Sequence, residues 1–460
     1  MTRRGRYFLI QDPYHPYAYE FIKRINKKDP DLRPLAFYSN PRLKFYFRKS
    51  YNLKKSFSNA VEYDVPPGAI DQFLQYGQDK YEIVGILPWN EQVLDLSVYI
   101  LKELNLPWNE PKTISLFRDK YRFKDMLYRS NKALLPSPSR CLQSYNDYLK
   151  VKDEVADRFV IKPNNGYSNQ CIGFFDKSTP DKVIESYFQS SSKYSDFTLE
   201  DFLEGEEFAI NGQVDEKGDV HILSIFQYQR VLANGRSNVY AETWNLPDKD
   251  PRFALLVEYA KQVMTTSKLV RCPFHMEIID DVQLGPTLVE VGCRTGGGML
   301  ITATNDVHDN RLDAFDIAAH FYLFDTPYGK IDFNWDYGNE VSFLDLDGIS
   351  PASGYIYRLR NKQATEKRAE FVRWTSEPQI GQRVYKTVDL ETLPWAMHLK
   401  SKEGKEHLKR VAESIRREFI INEPQNAVLK WMTITRVYIK KLFEKVLWWG
   451  HRSFQKRSPF

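Results

Sequence analysis

Residues 287–300 read TLVEVGCRTGGGML: an apolar strand runs into Glu290, Arg294 follows, and then come Gly296, Gly297 and Gly298. A carboxylate, a guanidinium and a pliable backbone so close together suit a phosphate. Glu290 would hold a metal, Arg294 an anion, and the glycines would let the chain approach. A strand ending in a loose turn around one ion pair gives the same pattern. The preceding strand, FHMEIIDD, carries Glu277. If the two strands pair through their turn, both carboxylates face one cavity. Two hard oxygen ligands beside phosphates are what Mg²⁺ requires, and without a cation two such charges are costly together. His275 falls on the same strand face as Glu277, either donating to a phosphate or acyl oxygen or sitting as a satisfied core histidine.

Three further stretches carry polar chemistry. FVIKPNNGYSNQCIGFF sets Lys162 at the end of a strand before a small-residue loop, a geometry that holds phosphates or else a hairpin with a solvated lysine. LEDFLEGEEF places Glu200 and Glu207 either side of a turn, with Phe202 and Leu203 as an apolar edge between them. It offers an apolar slot for a base and a carboxylate for a ribose, or simply an acidic surface turn. QRVLANGRSNVYAE puts Arg230 and Arg236 in a polar loop, fitted to a substrate carboxylate or phosphate or to a solvated hairpin tip.

The elements that must position these residues alternate. RYFLIQDP, RPLAFYS and YEIVGILP read as strands, separated by a helix YAYEFIKRINKK and followed by a helix NEQVLDLSVYILKELN, capped by Asn90 and stopped at Asn105-Leu106-Pro107. Strand–helix alternation predicts a parallel sheet covered by helices, and no GxGxxG follows the first strand, which excludes a dinucleotide fingerprint there. The proline-bearing PWNEPKT reads as a polar link into a helix FRDKYRFKDMLYRSN. Strands then dominate, with turns at Glu204-Gly205 and Lys217-Gly218, a helix PRFALLVEYAKQVMTTSKL, and FHMEIID and PTLVEV as a pair. Beyond about residue 340, VSFLDLDG, GYIYRLR and EFVRWT form a strand-rich region closed by the helix GKEHLKRVAESIRREF.

At 460 residues the chain must divide into more than one lobe. Its 42% hydrophobic and 27% charged residues are those of an ordinary folded protein, and a net charge of +5 gives no case for nucleic acid. Cys141, Cys171, Cys272 and Cys293 have no metal spacing and read as reduced, mostly buried thiols. Cys293, beside the acidic strand end, is a small packing residue or a nucleophile. No apolar run reaches the ~20 residues of a spanning helix, and YFLI is too short for a signal peptide, so a cytoplasmic location is expected. Residues 430–457 hold eight Lys/Arg, with Trp431, Met432, Ile439, Leu442, Phe443, Val446 and Trp449 on one helical side. Such a helix docks on the protein's own body or a second subunit, or lies on the inner face of an anionic membrane.

The order of these features resembles that of ATP-grasp carboxylate–amine ligases, nearest to the L-amino-acid ligase branch. The resemblance rests on Lys120 in RDK, Lys162 in VIKP, the EDFLEGEE hinge, Glu277 in HMEI and Glu290 with Arg294 in EVGCR. It implies an α/β and α+β multidomain fold. A Rossmann-like pre-ATP-grasp domain (1–112) would precede the small (113–200) and large (201–335) ATP-grasp lobes, a strand-rich subdomain (336–422) and a helical tail (423–460). It implies ATP and Mg²⁺, or Mn²⁺ in its place. Lys120, Lys162 and Ser168, in the flap Asn165 to Gln170, would cover the phosphates. Glu200, Asp201, Phe202 and Leu203 would line the adenine pocket, Glu207 would hold the ribose, and Glu277 and Glu290 the metal. Arg294, with His275 and Arg236, would serve the reacting groups. The expected partners are a small carboxylate and an amine, and a homodimer is expected by analogy. A bicarbonate-activating relative and an inactive nucleotide-binding scaffold are the alternative readings. One departure stands out: the superfamily's Glu-x-Asn-x-Arg, whose Asn helps hold a second metal, here has Gly292.

Overall fold

The computed structural model describes residues 5–13, 16–37, 61–63, 74, 81–166, 171–297, 299–309, 311–324, 331–333, 341–418, 421–422, 431–432, 435 and 439. It divides into two units, residues 1–227 with 246–337 and residues 228–245 with 338–460. The expected α/β and α+β multidomain fold is what forms. Ser168, most of the flap and most of the basic tail lie outside the described residues.

The first unit opens with a parallel sheet of β1 (Arg6–Gln11), β2 (Arg33–Phe37), β3 (Val61–Tyr63) and β4 (Glu82–Leu87) in the order β3-β2-β1-β4. Phe8, Leu9, Ile10, Ile86 and Leu87 are wholly buried, as expected for strands covered on both faces. The PWNEPKT stretch is not a plain link. Pro111 begins a helix, Pro111–Phe117, at the first-turn position where proline's missing N–H costs nothing. A second helix, Lys120–Ser130, follows, with the Asp119 side chain accepting from the backbone N–H of Arg122.

A four-stranded antiparallel sheet comes next, β5 (Arg140–Leu142), β6 (Arg158–Pro163), β7 (Gly173–Asp176) and β8 (Phe197–Asp201), in the order β5-β8-β6-β7. Then β9 (Gly205–Val214), β10 (Val220–Ala233), β11 (Arg236–Asn245), β12 (Cys272–Asp281) and β13 (Gly285–Gly292) form. Within the first unit β12 lies between β9 and β13, both antiparallel to it.

Main-chain and side-chain contacts fasten the parallel sheet to the later part of the same unit. The N–H of Phe324, just past the helix Ala314–Tyr322, donates to Val84 O at 2.7 Å. Trp108 Nε1 donates to Arg271 O (3.0 Å), and Asn109 exchanges two bonds with the backbone of Val270 (2.6 and 2.9 Å). Gly85 sits where a Cβ would come 2.3 Å from Tyr322 O. The sequence leaves only glycine room for this approach.

The second unit pairs β11, β14 (Ser342–Asp347), β19 (Ala396–Ser401) and β17 (Phe371–Ser376) in that order. Two short antiparallel pairs join β15 (Gly354–Tyr355) to β18 (Arg383–Val384) and β16 (Arg358–Leu359) to β20 (Ile421–Asn422). The helix Lys405–Glu418 covers one face through Leu408, Val411, Ala412 and Ile415, packed with Trp244, Leu344 and Met397.

Because the atom facing Gly85 is a backbone carbonyl, a methyl group there forces main-chain movement. Gly85→Ala should destabilise the protein by about 1–3 kcal/mol, the range for overpacking, read as a lowered urea midpoint at unchanged slope.

Candidate active site

Glu277 and Glu290 stand directly opposite one another on β12 and β13, and His275 stands opposite Gly292. The register slips after Glu277, leaving Val289 without a partner on β12. This bulge frees the Val289 carbonyl, which accepts from Lys162 Nζ at 3.1 Å. The lysine at the end of β6 thereby reaches the acidic strand pair. Lys120 Nζ lies 3.1 Å from Glu290 Oε2 and donates to Gly166 O at 2.6 Å. Burial pushes the Glu290 carboxyl up, but Lys120, Lys162 and Arg294 outweigh it and hold the group well below the ordinary range.

One oxygen, Glu200 Oε2, serves two lysines, Lys124 Nζ at 2.8 Å and Lys162 Nζ at 3.0 Å. Burial brings the Lys124 amine down to about 8, while Glu200, despite its own burial, is held low by the two cations. The other oxygen, Glu200 Oε1, is buried and has no hydrogen-bond partner among the described residues. Glu200, Asp201 and Leu203 line a pocket together with Lys124, Leu284 and Leu288. The Phe202 ring packs instead between the Arg158 guanidinium (3.8 Å) and Phe174 (6.2 Å). Glu207 is half-buried on β9, opposite Ile279.

His275 is 6% exposed, its Nδ1 2.9 Å from Asn211 Oδ1 and its Nε2 3.6 Å from Glu277 Oε1. Asn211 donates on to Ser224 Oγ (3.1 Å), so its oxygen faces the ring and Nδ1 carries the proton. This is a histidine held in a buried polar chain through Asn211 and Ser224, beside Glu277 but not hydrogen-bonded to it. Cys293 is wholly buried, its thiol pushed far up by burial and by Cys272, which makes it a packing residue. Of the other cysteines only Cys272 is buried; Cys141 is exposed and Cys171 half-buried. Arg236 begins β11 in the second unit and is exposed, after Asn234 and Gly235 in left-handed conformation. Asn234 Nδ2 ties that turn to Ser350 O (2.9 Å) and Thr387 O (2.8 Å).

Arg294 has a partner that its own neighbourhood does not reveal. Its Nε donates to Glu91 Oε2 at 2.5 Å, and Arg118 Nη1 donates to Glu91 Oε1 at 2.7 Å. Glu91, Lys124 and Asn211 are the site residues that sequence reasoning missed. Lys124 had a legible signal, one helical turn beyond Lys120 on the same helix.

Lysines converging on carboxylates, with a pocket beside them, are the arrangement for a polyphosphate and its metal. Residues 157–303 match the family model described as an ATP-grasp domain. The chain carries an ATP-grasp domain. All the residues from Lys162 to Arg294 described above, other than Arg236 and its tethered turn, fall within both that match and the first unit. Comparison with curated proteins finds no match. Among solved structures, the L-amino acid ligase from Bacillus licheniformis aligns over 92% of this chain and 100% of its own at 16% identity and TM-score 0.69. The phosphoribosylglycinamide synthetase from Anaerococcus prevotii aligns over 91% and 100% at 14% identity and TM-score 0.61. The biotin carboxylase domain of the Hydrogenobacter thermophilus 2-oxoglutarate carboxylase, in complex with MgADP, ADP and bicarbonate, aligns over 90% of each chain at 14% identity and TM-score 0.65. These likenesses show that the chain shares the fold of these structures over nearly its whole length. Among the described residues no helix is long and apolar enough to cross a membrane.

The Glu91 cluster sets a pH dependence. Burial pushes the Glu91 carboxyl up, but Arg294 and Arg118 outweigh it, so its folded value lies below the ordinary 4.5. The unfolded chain therefore binds the proton first, and stability from Glu91 is full above about pH 4.5 and is lost as pH falls through the folded value. Urea midpoints should fall between about pH 5 and about pH 3 in the wild type, and fall less steeply in Glu91→Gln.

Proposed function

We propose that this chain is an ADP-forming ligase that activates a small carboxylate, an amino acid in the first instance, as an acyl phosphate and joins it to an amine. The observation that carries this reading is Glu277 opposite Glu290, with Lys120 and Lys162 at the same strand pair. The donor set fits Mg²⁺, or Mn²⁺: two carboxylates supply hard oxygens and leave the remaining positions for phosphate oxygens and water. Bound there, the metal would neutralise the charge developing between the β- and γ-phosphates. Lys120 and Lys162 hold the polyphosphate. Glu200, Asp201 and Leu203 hold the adenine, and Glu200 Oε1 is a ready acceptor for a nucleotide N–H or O–H. Glu207 holds the ribose. His275 is held by Asn211 beside the strand pair, with its Nε2 on the Glu277 side.

The substrate carboxylate attacks the γ-phosphorus, the bond to the ADP oxygen breaks, and an acyl phosphate forms. An amine then attacks the acyl carbon, phosphate leaves with the bonding electrons, and the nitrogen loses a proton to give the amide. Arg294 faces the acyl phosphate and the oxyanion that follows it, while the protein positions the groups and neutralises charge. Arg236 binds the substrate carboxylate.

Lys120 already occupies Glu290 as a cation, so polyphosphate must draw it away before a metal settles. Mn²⁺ alone should bind at least about tenfold more weakly than Mn²⁺ with ADP, measured by titration calorimetry. Screening pooled amino acids and amines should reveal substrate-dependent ADP and phosphate release that Glu290→Gln abolishes. Arg294→Ala should lower kcat by ~10²–10³-fold. Arg236→Ala should raise the KM for the acid, and an unchanged KM would remove Arg236 from the site. AMP and pyrophosphate as products would overturn the acyl-phosphate chemistry.

A further inference from the structure

We infer that Glu91 and Gly292 are a matched pair: the Glu91 carboxylate fills the space a side chain at 292 would take, and from there it fixes the Arg294 guanidinium. The catalytic meaning of this pair rests on the reading of Arg294 above. Its geometry does not.

Gly292 lies two residues after Glu290 on β13, so its absent side chain belongs to the same face as that carboxylate. A Cβ there would lie 3.3 Å from Glu91 Oε2 and 3.5 Å from Arg294 Cγ. Gly292 is not among the residues of positive φ, so its backbone conformation does not call for glycine. Space does. The superfamily's Asn at this position would need the volume that the Glu91 carboxylate holds.

Glu91 comes from a rigid source. It follows β4, which is jammed at Gly85 against Tyr322 O and bonded at Val84 O. Between them Trp89 Nε1 donates to Gln11 O (2.7 Å), and Asn90 Oδ1 accepts from the Val93 N–H (3.2 Å). The carboxylate is then clamped between Arg118 and Arg294, and Arg294 Nη1 donates to Thr295 O at 2.9 Å. Two bonds on different edges set both the place and the plane of that guanidinium. Glu91 spends one oxygen on each arginine and touches no reacting atom, so it is a positioning residue.

A thermal double-mutant cycle on the full chain reads the geometry without any substrate. Gly292→Ala should lower Tm when Glu91 is present and have little effect in Glu91→Ala, a coupling of the kind contacting residues show. Additive shifts would overturn the pairing. Glu91→Gln keeps the shape but removes the charge. It should lower kcat for substrate-dependent ADP release about tenfold or more, with the Kd for MgADP changed less than about twofold and part of the loss regained in Glu91→Asp. An unchanged kcat would overturn the positioning role, and if Glu91→Ala does not fold, this second arm alone decides. Should no acid and amine support ADP release by the wild type, the ligase reading fails, while the thermal cycle still decides the pair.

Discussion

Two glutamates directly opposite on adjacent antiparallel strands repel each other, and much of the first unit is arranged around that repulsion. Like charges in such a cross-strand pair are destabilising unless cations stand near. Here Lys120 sits on Glu290, and Lys162 sits on the carbonyl that the bulge at Val289 releases. The bulge does double service. It keeps Glu277 and Glu290 in register while turning the next carbonyl toward a lysine from a different sheet.

Two other carboxylates of the site are each shared between two cations. Glu200 takes Lys124 and Lys162, and Glu91 takes Arg118 and Arg294. Desolvation makes such clusters weak sources of stability, so their retention argues for a ligand. One carboxylate between two cations leaves positive charge in excess, which favours a polyanion beside it. The Lys124 amine, down to about 8, registers how closely burial competes with that pairing.

Much of this was legible in the sequence because it depends on local order. The apolar runs at residues 6–11, 33–37 and 82–87 became parallel strands, and FHMEIID and PTLVEV became the expected pair, with Glu277 and Glu290 opposite. What sequence could not give were contacts closed by tertiary structure. Glu91 meets Arg294 across 203 residues, and an acid at the start of a helix ordinarily signals only the helix dipole. Asn211 likewise looks like any polar residue in a strand until it pairs with His275. Pro111 reads as part of a polar link, yet proline is equally suited to starting a helix. Gly292 was visible as a departure from the superfamily pattern, but its reason lay in the neighbour that fills its space.

The most direct test of the acyl-phosphate chemistry follows an oxygen atom. Pooled amino acids labelled with ¹⁸O in the carboxylate, incubated with ATP, Mg²⁺, unlabelled amines and the enzyme, should yield inorganic phosphate carrying one ¹⁸O per turnover. That oxygen can reach phosphate only if the carboxylate attacked phosphorus and the acyl–oxygen bond then broke. Label in AMP instead, or amide formation with unlabelled phosphate, would contradict the account.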